Sequence, residues 1–272
     1  MEPNGILQLE FKRKKTGETY VSRQFFKLPL QILPVNYLEQ DKTAFLYLLN
    51  PSSGMLEGDL FREEFRIQEN ARVVITTPSS NKIYRSQGKT TRLELVVTVA
   101  AGGRLEYLPE YNVPFKDAKY LQKGTFYVEK TGSVFLWDTV MPGRLARGET
   151  FDFTSYSSRL SLYYDKELVL CEGMRLEPDK TDPHNQAVLG QYNLFASAYL
   201  VAEDIPQGLC DKLRRYLREA NVCGNCSVPG EHILVIKLLF EKNLGVQEVM
   251  CQVWNIVREE TYGKSGFRIR KY

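Results

Sequence analysis

Between residues 6 and about 177 the chain is cut into short runs in which apolar residues alternate with polar ones or dominate outright. These are "ILQLEF", "TAFLYLL", "RVVITT", "TRLELVVTV", "RLEYL", "GTFYVEK", "SVFLWDTV", "ETFDFTSYSSRLSLYY" and "ELVLCEGMRL", with "ENA", "AAGG", "EKTG" and "YDKE" as breaks. A period of two sends alternate side chains to one face, so each run predicts a strand with a face to bury. The succession predicts a mainly β body of antiparallel strands, as a sandwich, a stack of sheets or a helical β arrangement. Tyr 16 and Phe 14 fit this better than a coiled coil or a disordered chain. Self-similarity of fixed period is not visible, so the residues themselves do not favour a regular solenoid.

Beyond residue 178 the texture changes. "DKTDPHNQ" reads as a polar loop and "YNLFASAYLVA" as a strand, after which "QGLCDKLRRYLREANVCG" puts Leu209, Leu213, Tyr216 and Leu217 on one helical face. "HILVIKLLF" reads as a buried strand, and a second helical face carries Val246, Val249, Val253, Ile256 and Val257. Trp254 in that helix either packs on the β body or forms part of a partner surface. The expected organisation is one domain over residues 1–272, with a β body at about 6–177 and a β-α-β-α portion at about 186–262.

Charge and cysteine usage remove several function classes. Lys+Arg 36 against Asp+Glu 33 gives a net charge of +3, too balanced for the field that gathers nucleic acid. The cluster Lys12, Arg13, Lys14, Lys15 before Thr-Gly reads as an exposed hairpin tip. No run approaches the roughly 18 uncharged apolar residues of a membrane span, and the first residues lack a signal-peptide pattern, so a cytoplasmic protein is expected. Five cysteines, an odd number, read as reduced thiols. "CGNC" at 223–226 supplies one metal-binding pair without a second, so it reads as a turn and no tight metal site is expected.

Catalytic signatures are sparse. The two histidines, His184 in a polar loop and His232 at a strand start, have no nucleophile-like setting, and Gly-rich nucleotide-binding motifs are absent. What remains is a set of carboxylates beside apolar segments: Asp59 after "GMLEG", Asp138 after "FLW" and Glu172 after "LVLC". A buried carboxylate must pair with a cation, ligate a metal or face water, whereas one on an outer strand face needs nothing. Two of the three could also serve a glycosidase as acid and base if they stood about 5 to 10 Å apart across a cleft. "MPGRLARGE" at 141–149 sets Arg144 and Glu149 among glycines, as a salt-bridged corner or a partner-binding loop would.

The order of "LLNPSSGMLEGD", "ITTPSSNKIYRS", "LEYLPEYNVPF", "LWDTVMPGRLARGE", "LVLCEGMRLEP" and "VWNIVRE" closely resembles the urease accessory protein family UreD, also called UreH. That resemblance implies a mainly β, helical stack of sheets with a few α-helices, two of them near the C-terminus. It implies a non-enzymatic factor that joins UreF, and through it UreG, to apo-urease for nickel insertion, with no tightly bound cofactor and only transient Ni²⁺. The rival mechanism is a conformational chaperone of apo-urease without ion conduction. It further implies a water-filled passage lined by Asp59, Asn81, Lys82, Asp138 and Glu172, with Tyr84, Arg85, Arg144 and Glu149 as supporting polar residues. Three positions depart from the family pattern: Glu57 replaces a glycine, Asp138 a glutamate, and Gly173 follows Glu172 where an arginine is common.

Overall fold

The computed structural model describes residues 2–267 and residue 269. In chain order the strands are β1 (Gly5–Arg13), β2 (Thr19–Lys27), β3 (Gln31–Ile32), β4 (Ala44–Leu49), β5 (Leu60–Ile67), β6 (Arg72–Thr76), β7 (Asn81–Ile83), β8 (Thr91–Val99) and β9 (Arg104–Leu108). They continue with β10 (Asn112–Pro114), β11 (Lys119–Val128), β12 (Ser133–Val140), β13 (Ser155–Tyr164), β14 (Glu167–Leu176) and β15 (Leu194–Val201). Helix α1 (Leu209–Glu219), β16 (Cys223–Gly230), β17 (Ile233–Phe240) and helix α2 (Val246–Tyr262) complete the chain, with one 3-10 turn at Leu145–Arg147.

Two sheets face one another. The first has the order β14-β13-β11-β8-β5-β1-β2, and the second runs β16-β17-β15-β12-β9-β6-β4-β3. From β4 to β13 the chain passes between them in turn, so β5, β8, β11 and β13 lie side by side in the first sheet and β4, β6, β9 and β12 in the second. Neighbours in these two sets are parallel, which corrects the antiparallel expectation for the body. Antiparallel pairing occurs at the ends, as in β1 with β2, β13 with β14 and β12 with β15. Alternation reports which face is buried and is silent about a neighbour's direction; the connections decide that, and here they lead across to the other sheet.

Three of these connections form a stack that the sequence conceals. The turns beginning at Gln68, Ala100 and Glu129 each close with a backbone bond to the residue three ahead, from Ala71 N (3.0 Å), Gly103 N (2.9 Å) and Gly132 N (2.9 Å). Their third residues, Asn70, Gly102 and Thr131, all take a positive φ. Successive turns are tied by Asn70 N to Ala101 O (3.1 Å) and Gly102 N to Thr131 Oγ1 (2.9 Å). A Cβ on Gly102 would lie 2.4 Å from Asn70 Oδ1, so glycine at the middle turn lets the Asn70 side chain of the preceding turn keep its place. The repeat is therefore geometric, at unequal intervals and with three different sequences.

The core is layered. Leu7, Phe65, Val97, Phe126 and Leu162 of the first sheet meet Leu46, Val73, Leu105, Val134 and Tyr199 of the second. The second sheet is covered on its other face by α1 and α2, whose Leu209, Leu213, Leu217, Val246, Val253 and Trp254 pack on Phe135, Trp137, Ala198 and Ile236. Burial on both faces explains why "TAFLYLL" and "HILVIKLLF" read as nearly continuous apolar runs. No helix among the described residues is long and apolar enough to cross a membrane.

Candidate functional site

Strand alternation aims Val134, Leu136, Asp138 and Val140 of β12 at the first sheet, in phase with Phe195, Ser197, Tyr199 and Val201 of β15. On β17 the same phase carries Ile233, Val235, Lys237 and Leu239. Register sets Asp138 beside Ser197, and Ser197 beside Lys237, in one row across three strands. On the first sheet Gln122 stands beside Ser158, and Glu172 occupies the inward phase of β14 between Leu170 and Met174. A polar row thus interrupts the apolar interior, and a cavity of about 190 Å³ lies against it.

Hydrogen bonds knit one end of the row. Asn112 Nδ2 donates to Asp138 Oδ1 (2.9 Å) and to Gln122 Oε1 (3.1 Å), while Gln122 Nε2 donates to Asp138 Oδ2 and to Ser158 Oγ (3.1 Å). Asn81 Nδ2 continues the chain to Asn112 Oδ1 (2.9 Å), because β7 and β10 are parallel and pair Asn81 with Asn112 in register. Burial pushes the Asp138 carboxyl up, and the bonds from Asn112 and Gln122 partly offset this. Glu63, inward on β5, is buried, and burial pushes its carboxyl up to about 7 against a 3.5 Å hydrogen bond from Tyr107 Oη. At the other end Tyr199 Oη donates to Glu172 Oε1 (3.0 Å), and Lys237 Nζ contacts the same carboxylate.

Of the five residues expected along a passage, Asn81, Lys82, Asp138 and Glu172 line this one cavity. Asp59 does not: its Oδ2 accepts from Leu56 N (2.8 Å) while its own N–H donates to Leu56 O (3.1 Å), closing a turn. Glu57 is occupied nearby, accepting from Gly88 N (2.6 Å) and Lys89 N (2.8 Å), bonds that hold its carboxyl below the ordinary value. Gly54 is required by proximity, since a Cβ there would meet Lys82 O at 2.3 Å.

The four supporting positions lie away from the cavity wall. Tyr84 meets Phe115 edge-on at 5.2 Å, and the Arg144 guanidinium lies 4.5 Å from the same ring while pairing with Glu149. Arg85 is exposed. "MPGRLARGE" therefore does form a salt-bridged corner. The "CGNC" stretch is an edge strand rather than a turn; it exposes Cys223 and buries Cys226 against Cys210 of α1, with 2.7 Å between sulfurs. Among the described residues no three His, Cys, Asp or Glu side chains are grouped to hold a metal ion.

Glu63, Tyr107, Asn112, Gln122, Ser197 and Lys237 escape the motif reading. Their signal was present as phase: Glu63 falls in step with Phe61, Phe65 and Ile67, and Lys237 in step with Ile233, Val235 and Leu239. A charged residue on the apolar beat of a strand marks a partner or a cavity.

The UreD urease accessory protein family matches residues 3–271. The chain is 27% identical to the urease accessory protein UreD of Bacillus sp. strain TB-90 over the full length of both chains. It is 25% identical to that of Bacillus cereus, covering 99% of each, and 24% identical to that of Staphylococcus epidermidis, covering 97% of each. With the match running nearly end to end, the chain belongs to the UreD urease accessory protein family.

Proposed function

We propose that this protein is a non-catalytic urease maturation factor that joins a UreF and UreG complex to apo-urease and passes Ni²⁺ through the cavity between its sheets. Family membership supports the role in urease maturation. The observation that carries the conduit is the polar row of Asp138, Ser197, Gln122, Ser158 and Glu172 set into an otherwise apolar interior beside open volume. A volume of about 190 Å³ has room for several waters, enough to keep a divalent ion partly hydrated. Oxygen donors spread along a wall bind such an ion weakly and at several places, which suits transit. His184 and His232, better nickel ligands, stand off the wall and engage Gly190 O (2.9 Å) and Glu203 O (2.6 Å). Asp138 and Glu172 are both held by donors, an arrangement that suits fixed lining groups better than a glycosidase's acid and base.

The test compares shape with charge. Asp138→Leu and Glu172→Leu fill the path and remove an acceptor, whereas Asp138→Asn and Glu172→Gln keep the volume and an acceptor oxygen. Urease matured with the leucine variants should lack most of its nickel and activity, the amide variants should come close to wild type, and all should still pull down UreF and apo-urease. Full nickel loading with leucine at both positions would refute the conduit and leave a conformational chaperone of urease.

A further inference from the structure

Lys237 of β17 brings its ammonium to the polar row from the same face of the second sheet as Ser197 and Tyr199. Its Nζ lies 2.9 Å from Ser197 Oγ and 2.8 Å from Tyr199 Oη, and it contacts the Glu172 carboxylate. Glu172 belongs to β14, the edge strand of the first sheet, while Ser197, Tyr199 and Lys237 belong to the second. The ammonium therefore bridges the two sheets beside the cavity, which Glu172, Ser197 and Tyr199 all line. Three oxygens of different chemistry converge on one positive charge, an arrangement that a small metal ion surrounded by oxygen would also accept.

We infer that Lys237 is a tethered cation occupying a divalent-cation position formed by Glu172, Ser197 and Tyr199, and that it keeps this end of the cavity from retaining an ion. The cation position stands on these contacts; the effect of Lys237 on nickel transit rests on the conduit proposed above. An incoming ion must displace the ammonium or bind beside a like charge, and either lowers its affinity for Glu172. Asp138, next in the row to Ser197, feels both groups: Lys237 pulls its carboxyl down and Glu172 pushes it up. Lys237 lies on a half-open wall, with 45% of its side chain exposed, so its loss removes charge without opening a core void.

The experiment is a titration of purified, untagged full-length protein with Mn²⁺, followed by its electron paramagnetic resonance signal. Mn²⁺ favours oxygen donors, so the thiols compete little. Lys237→Met should bind at least about tenfold more tightly than wild type, by removal of a like charge within a few ångströms of the site. Lys237→Arg keeps the charge and should show no gain, and Lys237→Met with Glu172→Gln should fall back to the wild-type level. A Lys237→Met protein that binds no better, or a gain that survives Glu172→Gln, overturns the inference. If the gain appears and depends on Glu172 while Lys237→Met matures urease normally, the cation position stands and the claim that Lys237 eases nickel transit is overturned, whereas failure of the conduit itself is read from the leucine variants above.

Discussion

The second sheet carries a polar cluster on each face, and the two are built on opposite terms. Adjacent residues of β9 point apart, Glu106 toward the helices and Tyr107 toward the cavity, as do Trp137 and Asp138 of β12. On the helix side Glu106 is wholly buried between Arg258 (2.8 Å) and Arg104 (3.3 Å) and accepts from Trp254 Nε1 (2.5 Å). Arg258 also reaches Glu39 (2.7 Å) and Ser265 O (2.9 Å), while Asp41 joins Arg72 (2.6 Å) and Lys264. Burial raises the Asp41 carboxyl, but the bonds from Lys264, Arg72 and Thr43 outweigh it and hold it far below the ordinary value. Every charge there is met by another, and the cluster fastens α2 and the segment after it to the sheet. On the cavity side Asp138 is held by the neutral amides of Asn112 and Gln122 and Glu63 by one hydroxyl, while Glu172 meets Lys237. Charge-on-charge pairing makes a fastener; carboxylates held mainly by neutral donors beside open volume make a wall.

The largest effect should come from breaking the fastener. Arg258→Ala removes the nearer of the two cations from the buried Glu106, leaving Arg104 and Trp254 as its partners, and also releases Glu39, and breaking a buried pair on one side costs roughly 3 to 5 kcal/mol. Urea denaturation should show that loss as a fall in midpoint. Pairing Arg258→Met with Glu106→Gln removes both charges and should recover much of the stability, since apolar replacement of a buried pair is often neutral. A single mutant as stable as wild type would mean that the cluster contributes nothing to holding α2, and the contrast between the two faces would collapse.

Glu63 sharpens the comparison because it is buried, as Glu106 is, yet faces the cavity with no cation beside it; burial raises its carboxyl to about 7 against the ordinary 4.5. The folded protein then holds a proton that the unfolded chain releases, so stability falls as pH rises from about 4.5 and levels off above about 7. A shift of this size corresponds to a loss of the order of 3 kcal/mol across the window. Glu63→Gln should flatten that segment of the stability curve and be more stable than wild type at pH 8. An unchanged slope in the variant would place the titration elsewhere.

Much of this was legible in the residues. Alternation located most of the strands, helical spacing found both helices, and six ordered motifs pointed to the family. Direction was illegible, because a strand in a parallel coil and one in an antiparallel pair bury the same alternate side chains. The stacked turns were hidden for a related reason: Asn70, Gly102 and Thr131 reach the same left-handed conformation by different chemistry. Trp254 remained ambiguous until its partner Glu106, far away in sequence, was seen beneath it. Asp59 carried the right motif and the wrong neighbourhood, since a carboxylate after glycine can bond to its own turn as readily as line a cavity.

The smallest expected effect separates the two cysteines of "CGNC". Residues three apart on a strand point to opposite faces, which is why Cys223 is exposed while Cys226 lies under α1 with its thiol donating to Cys210 O at 3.1 Å. Burial first, and the adjacent Cys210 second, push the Cys226 thiol up to about 12, so it is a packed, protonated group and a poor metal ligand. Cys223→Ser should leave stability within about 0.5 kcal/mol, as for most surface changes. Cys226→Ser keeps a donor for Cys210 O but buries a more polar atom, and should cost about 1 kcal/mol. Denaturation of the two single variants measures the difference, and the double variant should still mature urease. A large fall in maturation by the folded double variant would give the pair a metal role that its geometry argues against.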